Sequence, residues 1–166
     1  MQRSDEVAYR EYVTLRMDVL RRTAYLLCHD WHTADDLVAT TLARLYDKWK
    51  RAGQADNIDA YVRAMLVNAY LDERRRPWRR EVSTDRMPDV AAPGRGAAGE
   101  HGDLLALVRA LPKKRRAVIV LRFYLDHSVE ETAEMLGIST GTVKSQTARA
   151  LETLRAAITN VSGVQS

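Results

Sequence analysis

At 166 residues with 46% hydrophobic content, the chain is long enough for one domain or two small ones with real cores, and its composition is globular. A formal net charge of +4 suits an anionic partner but is modest for a chain that grips nucleic acid by charge alone. Cys28 is the single cysteine, so an internal disulfide is excluded; acids in MQRSDEVAYR and the shortness of the apolar run at 117–121 argue against a signal peptide and a membrane span. A cytoplasmic protein without membrane insertion is expected.

In chain order, Val13, Met17, Leu20, Ala24 and Leu27 recur every three or four residues and predict an amphipathic helix ending at a break near Asp30. Cys28, His29 and His32 cluster there, but the second paired ligand set of a structural zinc site is missing, and a cysteine on an apolar helical face commonly packs. No metal and no cofactor are expected. Thr33 and Asp36 predict a capping-box-like start for a second helix, with Val38, Leu42, Leu45 and Trp49 as its buried stripe to about Lys50. Asp35 and Asp36 admit two readings: carboxylates in a first turn, stabilising the helix dipole by about 0.3–1 kcal/mol, or a docking surface for a basic protein partner. KRAGQADN, residues 50–57, breaks the pattern with Gly53, and Ile58, Val62, Met65 and Ala69 then begin a third helix that runs into DERRRPWRR, where Pro77 ends or kinks it.

That third helix places Asn68, Asp72 and Arg76 four residues apart on one face. Arg74, Arg75, Arg79 and Arg80 crowd its end, and such density needs an anionic partner, to which arginine offers planar, multidentate contacts. Tyr61, Tyr70 and Trp78 interleave with the basic stretch, and Tyr46 and Trp49 precede it. Positive charge beside aromatic rings is how proteins hold unstacked bases. Tyr61 and Trp49, near the apolar stripe, fit either core packing or stacking, whereas Tyr70 and Trp78 are expected to be exposed. Asn68 either meets backbone groups inside the bundle or reads a base edge, and the face it shares with Asp72 and Arg76 favours the second.

Periodicity disappears from Val82 to Gly102, where prolines and glycines interrupt an alanine-rich polar run, so a linker is expected there. About twenty such residues span roughly 25 Å on average and ~70 Å when taut. Helical periodicity resumes with Leu104, Leu107, Val108 and Leu111, and again after Pro112 with Val118, Leu121 and Leu125. A helix-turn-helix follows. Ser128 and Glu131 form a capping box, Ala133 is small enough for a close crossing, Gly137 takes the left-handed conformation that ends the first helix, and Val143 returns to the shared core. Ser139 caps a second helix whose inward face is Val143, Leu151, Leu154 and Ile158. Its outward face carries Lys144, Ser145, Ala148 and Arg149, polar and basic as a groove-reading surface should be. An ordinary helical hairpin with a solvated face is the bland alternative. The predicted fold is all-α: two small helical bundles, residues 1–81 and 103–160, joined by a flexible linker at 82–102 and followed by a tail at 161–166.

The segment TADDLVATTLARLYDKW resembles conserved region two of sigma factors, DAYVRAMLVNAYLDERRR resembles its promoter-melting helix, and LPKKRRAVIVLRFYLDHSVEETAEMLGISTGTVKSQTARALETLR resembles region four. With only these two regions, the chain resembles the extracytoplasmic-function group of the sigma-70 family, and GTVKSQTARAL is especially similar to actinobacterial members. The resemblance implies promoter recognition and melting for transcription initiation, with core RNA polymerase and promoter DNA, duplex and melted, as partners and an anti-sigma factor as a candidate further one. It implies docking on the polymerase through Asp35, Asp36 and Leu37. It places a flipped-out base in the loop from Trp49 to Asn57 with Asn68 close by, and the melted strand against Tyr61, Asp72, Arg75 and Arg76. Thr142, Lys144, Ser145 and Arg149 would enter a major groove, and the linker would lie inside the polymerase.

Two departures stand out. Ala39 and Thr40 replace the glutamine and acid that often continue the acidic-leucine motif, and Gln146, Thr147 and Ala148 stand where many relatives carry an aromatic residue or another arginine. An enzyme acting on nucleic acid is disfavoured, because no nucleophile-base set, phosphate-cradling glycine loop or clustered metal carboxylates is present. A helix-turn-helix regulator that binds duplex DNA without sigma activity is the alternative. It leaves the Arg74–Arg80 cluster unexplained, and no dimerisation helix is evident to pair half-sites.

Overall fold

The computed structural model describes residues 1–72 and 99–165, with side chains placed for 1–72 and 104–160. Every regular element among them is helical, and the chain divides into two compact units, Met1–Arg76 and Pro77–Ser166. The cluster Arg74, Arg75, Arg76, Trp78, Arg79 and Arg80 and most of the expected linker lie outside the described residues.

In the first unit, α1 (Arg3–Cys28) places Asp5 and Glu6 in its first turn, where carboxylates suit the helix dipole. It ends at His29, which takes φ 56° and closes the last turn by donating its backbone N–H to Tyr25 O at 2.7 Å. The next helix starts at once, and earlier than the Thr33–Asp36 spacing predicts. Asp30 caps α2 (Trp31–Asp47), its carboxylate accepting the Thr33 N–H at 3.2 Å and the Thr33 hydroxyl at 2.6 Å. Ala34, Leu37, Val38, Thr41 and Leu45 form the buried stripe of α2, and Thr41 satisfies its hydroxyl on Leu37 O at 2.7 Å.

The expected loop at 50–57 contains a short helix of its own, α3 (Trp49–Gly53), which buries Ala52. Asn57 then caps α4 (Ile58–Asp72), accepting the Ala60 N–H on Oδ1 at 3.1 Å. Helix α4 buries Val62, Leu66, Val67, Ala69 and Tyr70, and α1, α2 and α4 pack pairwise around the core. Tyr70 is 2% exposed, contrary to expectation: it stands four residues after Leu66 and eight after Val62, on the core face rather than beside the arginines.

In the second unit, α5 (Gly99–Arg109) begins inside the expected linker. Glycine weakens a helix by about 1 kcal/mol relative to alanine, so 99–102 are helical because the apolar residues that follow anchor the helix. Pro112 opens α6 (Lys113–Ile119), where a missing N–H costs nothing. The backbone then widens into a π-turn at Val120–Tyr124, Leu125 donating to Val120 O at 3.0 Å. Asp126, at φ 57°, completes the bend, and the Arg122 guanidinium bridges it by donating to His127 O at 2.7 Å.

The remaining elements are α7 (Val129–Leu136) and α8 (Thr140–Gln165); the second runs through most of the expected tail. Val108, Leu111, Ile119, Ala150 and Leu154 join α5 and α6 to α8, while Val118, Ala133 and Val143 lock α6, α7 and α8 together. Ile158, expected inside, is 49% exposed, and Ala150 takes the inward position one turn before Leu154.

The first unit has a small core, so one deletion inside it should be felt strongly. Leu66→Ala removes a fully buried side chain at the centre of α4 and is expected to cost about 2–5 kcal/mol. Urea unfolding followed by circular dichroism should show the lowered midpoint; a loss under about 1 kcal/mol would contradict the packing described.

Candidate nucleic-acid and docking surfaces

The turn between α7 and α8 is built by three local devices. Ser128 donates its N–H to Glu131 Oε1 at 2.9 Å while its hydroxyl accepts the Glu131 N–H at 3.0 Å, so both orphan donors are satisfied reciprocally. Gly137 takes φ 66°, and a Cβ there would meet nothing within 4 Å; glycine is required by the backbone conformation, not by space. Ile138 donates to Ala133 O at 3.0 Å, closing the end of α7. Ser139 then accepts the Thr142 N–H at 3.1 Å and starts α8.

With Val143 fully buried, the helical period turns Lys144, Ser145, Ala148 and Arg149 outward, and all four are exposed. Thr142 is half-buried, and its hydroxyl shares a hydrogen bond of 2.9 Å with Ser139. Gln146 is tied back to the unit by Arg115, which donates from Nε at 3.0 Å. The free surface of α8 is therefore small, polar and basic near its N-terminus, where the helix dipole adds positive potential.

On the first unit, Trp49 packs edge-on to Tyr9 at 5.6 Å and tilts on Tyr12 at 5.9 Å, while Tyr9 also meets Tyr46 edge-on at 5.3 Å and donates its hydroxyl to Leu42 O at 2.7 Å. Trp49 is thus the seat of α3 on α1. Tyr46, Asp47, Lys48, Lys50, Arg51 and Trp49 itself line an open groove of about 540 Å³, with Tyr46 40% exposed. A second tie joins α1 to the first turn of α4. Tyr12 donates to Asp59 Oδ1 at 2.8 Å and Arg16 pairs with Asp59 Oδ2 at 3.1 Å; burial, then the Asp59 carboxylate, raises the Tyr12 hydroxyl well above its ordinary pKa.

At the corner between α1 and α2, Arg21 Nε donates to Asp35 Oδ1 at 2.7 Å, and its guanidinium lies 5.0 Å from the centre of the Trp31 ring. Trp31 is stacked on Tyr25 with ring centres 4.3 Å apart.

The descriptions of known families match both units: "Sigma-70 region 2" covers residues 10–80 and "Sigma-70, region 4" covers residues 101–154. Over 150 residues the chain is 39% identical to the RNA polymerase sigma-E factor of Streptomyces coelicolor, covering 89% of this chain and 84% of that protein. The chain belongs to the sigma-70 family. The extracytoplasmic-function (ECF) RNA polymerase sigma factor SigL of Mycobacterium tuberculosis is 35% identical over 143 residues, 82% of this chain and 81% of that one, which places the chain in the extracytoplasmic-function group. The fold is shared with the sigma factor RpoE of Bartonella quintana, solved in complex with the anti-sigma factor NepR, at a TM-score of 0.69 and 23% identity over 92% of this chain and 97% of that one.

In region 4, three of the four expected site residues, Lys144, Ser145 and Arg149, share one exposed face, while Thr142 belongs to the cap that starts the helix. In region 2, Asn68 and Asp72 share an exposed face of α4 and Tyr61 is half-buried. Asn57 spends its side-chain oxygen on the cap of α4, and Trp49 is held by tyrosines, so neither side chain is presented as freely as their places in the loop imply. Arg75 and Arg76 lie outside the described residues. Of the docking residues, Leu37 is 2% exposed and faces the core, leaving Asp35 and Asp36 at the surface. Because α2 starts at Trp31, these two are its fifth and sixth residues, past the first turn, and the dipole reading of them falls away. Sequence reasoning missed Arg21 and Trp31 as neighbours of Asp35, and the basic groove at Tyr46; the cue for the groove was KWKR, which follows that tyrosine after one acid.

No helix among the described residues is long and apolar enough to cross a membrane.

The Glu131 carboxylate is held below the usual glutamate range, first by the Ser128 backbone N–H and then by its side chain. A lowered folded value means that the box's ionic contribution is complete above the unfolded value near ~4.3 and is lost as pH falls through the folded one. The advantage in melting temperature of the natural protein over Glu131→Gln should therefore shrink between about pH 5 and pH 3. Thermal melts across that range check it, and a difference independent of pH would count against the box.

Proposed function

We infer that this protein is a promoter-specificity subunit of RNA polymerase: region 2 docks on the core enzyme through Asp35 and Asp36 and holds the upstream element near the start site as melted strand, while region 4 reads the distal element as duplex. The observation that carries this reading is the exposed face of Lys144, Ser145 and Arg149 on a capped helix, on the same chain as the exposed Asn68–Asp72 face of α4. Lys144 and Arg149 supply phosphate and base-edge donors in a major groove. Asn68 offers an amide that can meet an unpaired base edge. Arg75 and Arg76 contribute salt-sensitive phosphate attraction, and Tyr61 a stacking face.

Melting follows from differential binding. A surface that holds unpaired bases better than duplex shifts the equilibrium toward the open state by that difference in free energy. The chain supplies no catalytic residue of its own in this reading; RNA synthesis belongs to the polymerase. It acts in the cytoplasm, and an anti-sigma factor is a candidate regulator, as in the solved RpoE–NepR complex.

Adding the purified protein to core polymerase and a promoter library should yield transcripts with defined start sites. A duplex-binding regulator without sigma activity would yield none. Asn68→Ala is expected to lose upstream unpairing detected by base-unpairing probes, and Lys144→Ala to weaken distal duplex contact by about 1–3 kcal/mol if it reads a base. Identical footprints for the two variants would refute the division of labour.

A further inference from the structure

Two arginines stand side by side near the start of α6, and the fold uses them differently. Arg116 turns back on the chain: its guanidinium donates to Arg109 O at 2.7 Å and to Leu111 O at 3.1 Å, closing the turn between α5 and α6. Arg115 reaches across to α8 instead, where its Nε donates to Gln146 Oε1 at 3.0 Å. The partner is a neutral amide, so the charge of Arg115 is not cancelled, and no carboxylate pairs with it among the described residues. Gln146 shares a stripe of α8 with Thr142, four residues before it, and Arg149, three after it. Thr142 and Gln146 are half-buried and Arg149 is exposed, so this stripe is the margin where the outward face of α8 meets the rest of the unit. A helix about 10–12 Å across nearly fills a major groove about 12 Å wide, so the middle of its outer face meets base edges and its margins meet the phosphate walls. With Nε spent on Gln146, the two terminal amino groups of Arg115 remain, and their planar fork fits phosphate oxygens.

We propose that Arg115 binds a phosphate of the distal duplex from outside the helix-turn-helix, held at the edge of the reading helix by Gln146 as its positioning residue. This rests on the duplex reading of region 4 above and adds to it a contact that α6 supplies. The hydrogen bond to Gln146 orders the long arginine stem before DNA arrives, so less side-chain freedom is lost on binding. A carboxylate at the same position would hold the guanidinium more strongly but would neutralise it, whereas an amide holds it and leaves the charge for an external anion. A phosphate contact carries no base preference of its own. Its role is to set the register at which Lys144, Ser145 and Arg149 meet the groove.

The test uses the full chain on core polymerase, bound as a closed complex to a promoter recovered by the transcription assay above. Arg115→Ala should weaken binding to all distal sequences alike and reduce the slope of log K against log salt by about 0.9, the value of one phosphate. Its deficit should therefore shrink roughly 3.5-fold between about 50 and 200 mM salt. Arg115→Lys should retain the slope, since an ammonium keeps the charge. Gln146→Met should cost affinity in the natural chain and nothing in the Arg115→Ala background; an equal loss in both would overturn the positioning role. On the DNA side, phosphates around the distal element are replaced one at a time by uncharged methylphosphonate. At one position the natural chain should lose affinity and the Arg115→Ala chain should not. An unchanged salt slope in Arg115→Ala, or equal losses by both chains at every methylphosphonate, would overturn the proposal and leave the pair as a tie between α6 and α8. If Lys144→Ala and Arg149→Ala also bind the distal duplex as the natural chain does, the groove reading itself fails, an outcome distinct from failure of the Arg115 contact alone. Circular dichroism melts accompany each variant, and Arg115→Gln, uncharged but still able to meet Gln146, repeats the measurement if Arg115→Ala loses its fold.

Discussion

A helix cannot begin inside a folded chain without something to satisfy its first free N–H groups, and in this protein a side-chain oxygen does so at four boundaries that position a surface. Asp30 opens the helix that carries Asp35 and Asp36; Asn57 opens the one that carries Asn68 and Asp72; Ser128 and Ser139 open the two helices of the helix-turn-helix. Each cap fixes the first turn, and the buried stripe behind it fixes the rotation. Together they decide which residues face outward: with Ala34, Leu37 and Val38 inside, Asp35 and Asp36 have no other direction to take, and with Val143 inside the same holds for Lys144 and Ser145. The exposed faces are consequences of core packing read from the other side.

This explains which features were legible in the sequence. The helix-turn-helix could be read residue by residue because its devices are local: a serine and a glutamate three apart, and one glycine at the single position where the backbone turns left-handed. The start of α2 was misread because Asp30 and Thr33 are both good caps, and Thr33 turned out to be a donor to Asp30. The short helix at Trp49 was hidden by Gly53 and by a dependence on distant residues, since Tyr9 and Tyr12 hold it from the start of the chain. Tyr70 was misplaced by neighbouring arginines, although its spacing from Leu66 put it inside. The Arg21–Asp35 pair joins separate helices across a corner whose geometry depends on His29 turning left-handed, which no local pattern announces.

Charge and area set what each unit can do alone. A net charge of +4 over the whole chain gives modest long-range attraction to DNA, and the exposed basic face of α8 is only a few side chains wide. Weak contacts gain when they share a chain, because the second event becomes intramolecular and its effective concentration can reach ~mM. Docking on a polymerase that also holds DNA would extend the same gain to a third contact. Under the proposed function, small and separately weak surfaces are what a subunit needs if it must later let go.

Fewer rings are available to unpaired bases than the composition implies. Tyr70 is buried, Trp49 is half-buried against two tyrosines, Tyr46 packs edge-on to Tyr9 and Tyr61 is half-buried, so each described ring near the proposed strand path is at most partly open. Stacking contributes about 1–3 kcal/mol per base, so two stacked bases gain roughly 2–6 kcal/mol. Each opened base-pair step forfeits about 1.4 kcal/mol of duplex stacking, so five steps cost roughly 7 kcal/mol. Region 2 stacking on its own therefore falls at or below what opening several base pairs requires. Under the proposed function the deficit is met by polar capture of base edges at the Asn68 face and by contacts that the polymerase makes to the separated strands, a physical reason for a surface of this size to need docking before it melts DNA.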